Sequence, residues 1–170
     1  MARDEVLVKV EADLRRGHTH AALQRLASLT AAYPDDLEVR SARAAVCRQV
    51  GNLTEAGRWG FLTESTDDQE IAAFERAYPA AWTRLRALRL VADPTDRLGP
   101  AARARLSRLI ARAAGEPPGP VVWTASGPVP HDPPAPRLDV LWALAIAVPV
   151  IVLCGLAGLG LVTAVRWVVS

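Results

Sequence analysis

From Val140 to Val165 the chain carries no charged side chain, and nearly every residue is Leu, Val, Ile, Ala or Gly. A hydrocarbon core about 30 Å thick is crossed by about 20 apolar residues in a helix, and a somewhat longer run crosses with tilt. Buried helices of water-soluble domains are rarely so long and apolar on every side. The stretch is therefore expected as one transmembrane helix over residues 138–167. Trp142 and Trp167 would lie at the headgroup layers, with Arg137, Asp139 and Arg166 closing the run. Met1-Ala2-Arg3-Asp4-Glu5 has none of the basic start, apolar centre and small-residue cleavage site of a signal peptide. The expectation is a single-pass protein of the cell membrane, anchored by its C-terminal end, with the N-terminal part in the cytoplasm. Its two cysteines, Cys47 and Cys154, fall in different environments, which suits a reducing compartment.

The span itself carries small residues at intervals of four. Cys154 and Gly158 form one pair, Gly160 and Ala164 another, and Ala143 and Ala147 a third. Such spacing lets two helix backbones approach in lipid and would support a homodimer. Pro149 complicates this by freeing a carbonyl and kinking the helix. A plain monomeric anchor is the simpler alternative.

The rest of the chain suits one helical domain over residues 4–114 and a linker over 115–137. Eight prolines within 115–136 point to a semi-rigid, extended spacer. The overall net charge of +2 hides a basic block: residues 80–114 hold eight arginines against Asp93 and Asp96. Arg outnumbers Lys 19 to 1, which speaks of a GC-rich genome rather than of a function.

Residues 4–64 read as four short helices. Asp4 is placed to cap the first, where Val6, Leu7, Val10 and Leu14 recur at helical spacing. Gly17 ends it. Ala22, Leu23, Leu26 and Leu29 stripe the second, which stops at Tyr33-Pro34-Asp35. Asp35 with Glu38, Asn52 with Glu55, and Thr66 with Gln69 fit capping boxes for the three helices that follow. Val39, Ala42, Val46 and Val50 are the expected buried face of the third. The fourth holds Gly57 and Gly60. Two glycines inside a short helix cost about 1 kcal/mol each relative to alanine, so a neighbouring helix is expected to pack closely there.

A repeat is visible. Gly17 recurs as Gly51 and Ala22 as Ala56, both at the period of a tetratricopeptide repeat. Leu26 and Pro34 follow at the offsets of the same repeat. Together these predict an all-α fold of tetratricopeptide-like hairpins over 4–34 and 35–68, followed by further helices. The match is incomplete. Where the repeat expects its Trp-Leu-Gly-Tyr set, the first unit has Val6, Lys9, Val10 and Asp13, and the second has Arg40, Arg43, Ala44 and Cys47.

The pattern also resembles an uncharacterised family of small bacterial proteins, chiefly from high-GC Gram-positive bacteria. The resemblance rests on Asp13-Leu14 with Gly17, Ala22, Leu26, Pro34 and Arg40. It rests further on Gly51-Asn52, Ala56-Gly57-Arg58-Trp59, Phe61-Leu62 and Ala73-Phe74-Glu75. It covers residues 5–78 and implies a helical, repeat-like fold with no activity attached, the C-terminal span being an addition to that domain.

Helices continue to residue 114: one through Ile71, Phe74 and Tyr78 to Pro79, one through Ala81, Leu85 and Leu88, and one striped by Ala102, Leu106, Leu109 and Ala113. Arg103, Arg105, Arg108 and Arg112 lie off the last stripe. They read as a solvated face, as a surface for anionic headgroups held close by the tether, or, least in keeping, as a nucleic-acid face without aromatic interleaving. Arg58 and Trp59 are a candidate partner anchor, because Trp and Arg dominate binding hot spots, or else core residues. His18 and His20 lack a third ligand nearby, and His131 has no companion. The acidic pairs Asp35-Asp36 and Asp67-Asp68 favour helix starts over catalysis. No phosphate loop, nucleophile elbow or Cys-x-x-Cys is present. No enzyme activity, metal or cofactor is expected. The expected function is a membrane-tethered scaffold that binds a protein partner, with a lipid-sensing surface protein as the alternative.

Overall fold

The computed structural model describes residues 3–131. The expected span 138–167, with Trp142, Cys154, Gly158, Gly160 and Ala164, lies outside the described residues. Among the described residues no helix is long and apolar enough to cross a membrane. The chain divides into two units at His131, and the described residues belong to the first.

That unit is mainly helical. Its helices are α1 (Arg3–Arg15), α2 (Thr19–Ala32), α3 (Leu37–Gln49), α4 (Leu53–Gly60), α5 (Asp68–Ala77), α6 (Ala81–Ala87) and α7 (Pro100–Ala114). A 3-10 turn, Thr95–Arg97, precedes α7, and strands β1 (Val121–Thr124) and β2 (Gly127–Pro130) follow it. Each of α1 to α4 packs on the next helix, and α6 packs on α7.

The α1–α2 and α3–α4 turns have the same construction. Gly17 and Gly51 take φ of 78° and 75°, the left-handed region that glycine enters at least cost. The Gly17 N–H donates to Leu14 O at 3.0 Å and the Gly51 N–H to Arg48 O at 3.0 Å. The His18 N–H donates to Asp13 O at 2.8 Å and the Asn52 N–H to Cys47 O at 2.9 Å. Each of these donors and acceptors in the first turn has its counterpart one repeat later. Ala22 and Ala56, the repeated alanines, are both fully buried. The α4–α5 approach explains Gly57, where a Cβ would lie 2.0 Å from Glu70 O; Gly60 instead faces the connecting loop and α3, where a Cβ would lie 2.0 Å from Thr66 Oγ1 and 3.3 Å from Ala44 Cβ.

Two caps fall one residue later than the sequence suggests. Asp36, not Asp35, caps α3, accepting from the Glu38 N–H at 2.9 Å and the Val39 N–H at 3.1 Å. Asp35 instead pairs with Arg97. Asp67 and Glu70, not Thr66 and Gln69, form the capping box of α5. Thr66 is occupied in closing α4, its hydroxyl donating to Gly60 O at 2.5 Å. Asn52 caps α4 as expected, with the Glu55 N–H donating at 3.1 Å, but the Glu55 carboxylate turns to the Trp59 indole N–H, at 2.8 Å, rather than back to Asn52. On α3 the burial is two-sided. Val39 and Val46 face α2, while Arg40, Ala44 and Cys47 are buried as well and Val50 is half exposed.

Residues 115–131 are not an extended spacer. β1 and β2 pair antiparallel, with Val121 opposite Pro130 and Thr124 opposite Gly127. A two-stranded ribbon has only edges, so its prolines displace no ladder bond on a further strand. Val121 and Trp123 pack on the core of Phe74, Trp82, Leu85, Leu88 and Leu106. The Trp82 indole N–H donates to Gly119 O at 2.9 Å, and the Ala92 N–H to Thr124 O at 3.1 Å.

Candidate functional site

Arg58 and Trp59 are turned inward. Trp59 is 3% exposed and packs with Ala44, Cys47 and Ala56. Arg58 donates from Nε to Ala87 O at 2.6 Å and from Nη1 to Glu55 at 3.1 Å. Arg40, with no exposed surface, donates to Pro34 O at 2.7 Å and to Leu88 O. Ala87 and Leu88 are the end of α6, where helix carbonyls lack partners within the helix. Two arginines from the helical hairpins thus close the α6 C-terminus, where cations suit the dipole. Trp59 and Arg58 therefore join parts of the fold and do not stand out as a surface anchor.

The four arginines of α7 separate. Arg103 folds back on the preceding turn, donating to Thr95 O at 2.9 Å. Arg105, Arg108 and Arg112 stand three and four residues apart and share the side of α7 that meets α5. Between the two helices is a cleft of about 240 Å³. Phe61, Ile71 and Leu109 supply its apolar surface, and the three arginines face Asp68, Glu75 and Thr66 across it.

The rim is unevenly neutralised. Arg105 is held by Thr63 O at 2.6 Å and Phe61 O at 3.3 Å. Arg112 lies 3.9 Å from a Glu75 oxygen that Arg84 already takes at 2.6 Å. Arg108 donates only to Ala104 O, within its own helix, and among the described residues no carboxylate pairs with it. The cleft can therefore take an apolar side chain on its floor and a carboxylate at its rim. Its volume is below the roughly 300–1,000 Å³ usual for small-molecule sites.

His18, His20 and His131 are not drawn into any cluster, and no group of metal-ligating side chains forms among the described residues. Cys47 is buried, which pushes its thiol above the ordinary range. Sequence reasoning passed over Arg40 and Arg43. The signal was their position: two arginines where a tetratricopeptide repeat would place large apolar residues.

Residues 1–166 match the model of a family described as a family of unknown function, DUF6584. That match runs well past residues 5–78 and takes in the uncharged run, which is thus part of the family pattern rather than an addition to it. No curated protein and no solved structure matches the chain.

Proposed function

The chain belongs to DUF6584, a family of unknown function, and we propose that it is a membrane-tethered, tetratricopeptide-like protein that works as an interaction module or scaffold. The α5–α7 cleft carries this reading. Its occupant is an amphipathic segment of a partner protein, with an apolar anchor for Phe61, Ile71 and Leu109 and an acidic residue for Arg108 and Arg112. The small volume favours a side-chain anchor over a metabolite, so the proposal is a binding protein without catalysis. The matched turns at Gly17 and Gly51 support the repeat reading. The uncharged run Val140–Val165 supports the tether, with the helical domain in the cytoplasm.

The cleft is tested with a photo-crosslinking residue in place of Arg108 in the full chain, expressed in cells. One discrete adduct is expected, lost when Arg112→Glu is added. The same adduct from a probe at half-exposed Lys9 would sink the reading. The tether is tested separately by alkaline carbonate washing, which should leave the full chain on membranes; its release would remove the span. Within the span, Gly158→Ile and Gly160→Ile are expected to lower energy transfer between labelled copies in dilute membranes. An unchanged signal would leave a monomeric anchor.

The exposure of Arg103, Arg108 and Arg112 favours a second reading, in which α7 meets anionic headgroups. Salt-sensitive binding of the full chain to anionic, but not zwitterionic, bilayer surfaces would favour it. A stoichiometric partner that survives moderate salt favours the scaffold.

A further inference from the structure

Around Trp59 the charges do not balance. The guanidinium carbons of Arg43, Arg58 and Arg40 lie 3.7, 4.6 and 5.5 Å from the centroid of its ring. Arg89, exposed and held at a φ of +52°, is close enough to add to the repulsion on Arg43. Among the described residues the carboxylates that act on these four cations are Glu55, engaged by Arg58 and by the Trp59 indole, and Asp35, which acts on Arg40. Asp35 pairs with Arg97. Among the described residues, Arg40 Nη1 and Arg43 Nε are buried donors without an acceptor. Such donors are costly and uncommon in folded proteins.

We propose that Arg43, Arg58 and Arg89, backed by the buried Arg40, form a binding site for a phosphate monoester dianion at the edge of Trp59. Arg43 is half-buried and Arg89 exposed, so both can be approached from solvent. Arg40 cannot be reached and acts through its field, which is strong where water is excluded. Burial and the neighbouring arginines lower Arg40 to about 10 and lower Arg43 as well, so both are cations at neutral pH and repel one another. A dianion reverses that repulsion. An excess of more than one positive charge suits phosphate better than a single carboxylate, and of the Arg43 nitrogens Nη1 already donates to Thr30 Oγ1 and Nε is buried, which leaves Nη2 for a ligand oxygen. None of these residues lines the α5–α7 cleft, so the site stands independently of the scaffold reading.

Inorganic phosphate and a phosphorylated lipid headgroup share this chemistry. The test is calorimetric titration of the full chain, in a neutral detergent, with inorganic phosphate at constant ionic strength. Saturable binding is expected, weakened about tenfold or more in Arg43→Gln and in Arg89→Gln by loss of a charge-assisted hydrogen bond. Arg89 is exposed, so its variant keeps the test decisive if Arg43→Gln perturbs folding. Arg15→Gln, exposed at the end of α1 and away from both sites, should bind as the natural chain does. A soluble short-chain phosphatidic acid is the second probe. Competition with phosphate and tighter binding would place the natural source in a headgroup; weaker binding would place it in solution. Absence of saturation overturns the proposal, as does an Arg15→Gln loss equal to that of Arg89→Gln.

Discussion

Glu70 has no exposed surface, yet its carboxylate accepts from Arg48 at 2.8 Å and from the Asp67 N–H at 3.4 Å. It ties α3 to the start of α5, and it raises Arg48 above its ordinary range. Arg48→Ala would leave a buried carboxylate without its cation. We expect a loss of about 2–3 kcal/mol in urea denaturation, below the figure for a fully buried pair because the Arg48 side chain is 37% exposed. Asp36 works differently. Burial opposes its charge, but the Val39 N–H, Arg3 and the Glu38 N–H outweigh burial and hold its carboxyl below the usual range. Its contribution is present above the unfolded value of about 3.9 and fades as pH falls through the lower folded one. Asp36→Asn keeps a cap acceptor but cannot titrate, so its stability deficit should narrow below about pH 4, read from thermal midpoints across pH. Which of Asp35 and Asp36 caps the helix was not legible locally, because Arg97, far along the chain before α7, takes Asp35.

At the scale of elements, the contact of α4 with α5 depends on the absence of a side chain at residue 57. Gly57→Ala gains about 1 kcal/mol of helix propensity. It also drives a methyl group into Glu70 O, a backbone atom that cannot rotate away. Overpacking of about 1–3 kcal/mol should prevail and lower the denaturation midpoint. Gly115→Ala, whose Cβ would find nothing closer than 3.6 Å, serves as the control and should be neutral. Gly57 announced this contact in the sequence, since a glycine inside so short a helix calls for a close neighbour; Gly60 answers to Thr66 and to Ala44 of α3. The hairpin was not announced. Pro128 and Pro130 argue against a strand in any larger sheet, and a two-stranded ribbon lying on Trp82 and Leu106 accommodates them.

In the whole unit, distant parts complete one another's ends. Helix α6 has no side-chain cap of its own; Glu116, from beyond α7, accepts from the Ala81 N–H at 2.8 Å. Its other end is closed by Arg40 and Arg58. Glu116→Ala should cost about 1 kcal/mol and speed hydrogen exchange in the first turn of α6. Arg58→Ala removes a charged donor worth about 1.5–3 kcal/mol. It should separate the unfolding of α6 and α7 from that of α1 to α4, seen as two exchange classes where the natural chain shows one. Coincident exchange in that variant would mean that Arg58 does not couple the two parts.

The sequence by itself determined the local geometry of the first two hairpins. A left-handed glycine and a small residue five positions later act over a short stretch of chain, so their recurrence at Gly51 and Ala56 reproduced the two bonds that close the turn. It also determined the stripes of α2 and α7, because periodicity alone selects the face that leaves water, whereas α3 is buried on two sides. Only the tertiary structure decided where the arginines went. A guanidinium is equally consistent with solvent, lipid or a core. Arg40 became a fully buried cation, and Arg103 folded back on a turn, because carbonyls from other segments were there to receive them. Polar partners of long, flexible side chains are chosen by what the fold brings within reach, and no spacing along the chain encodes that choice.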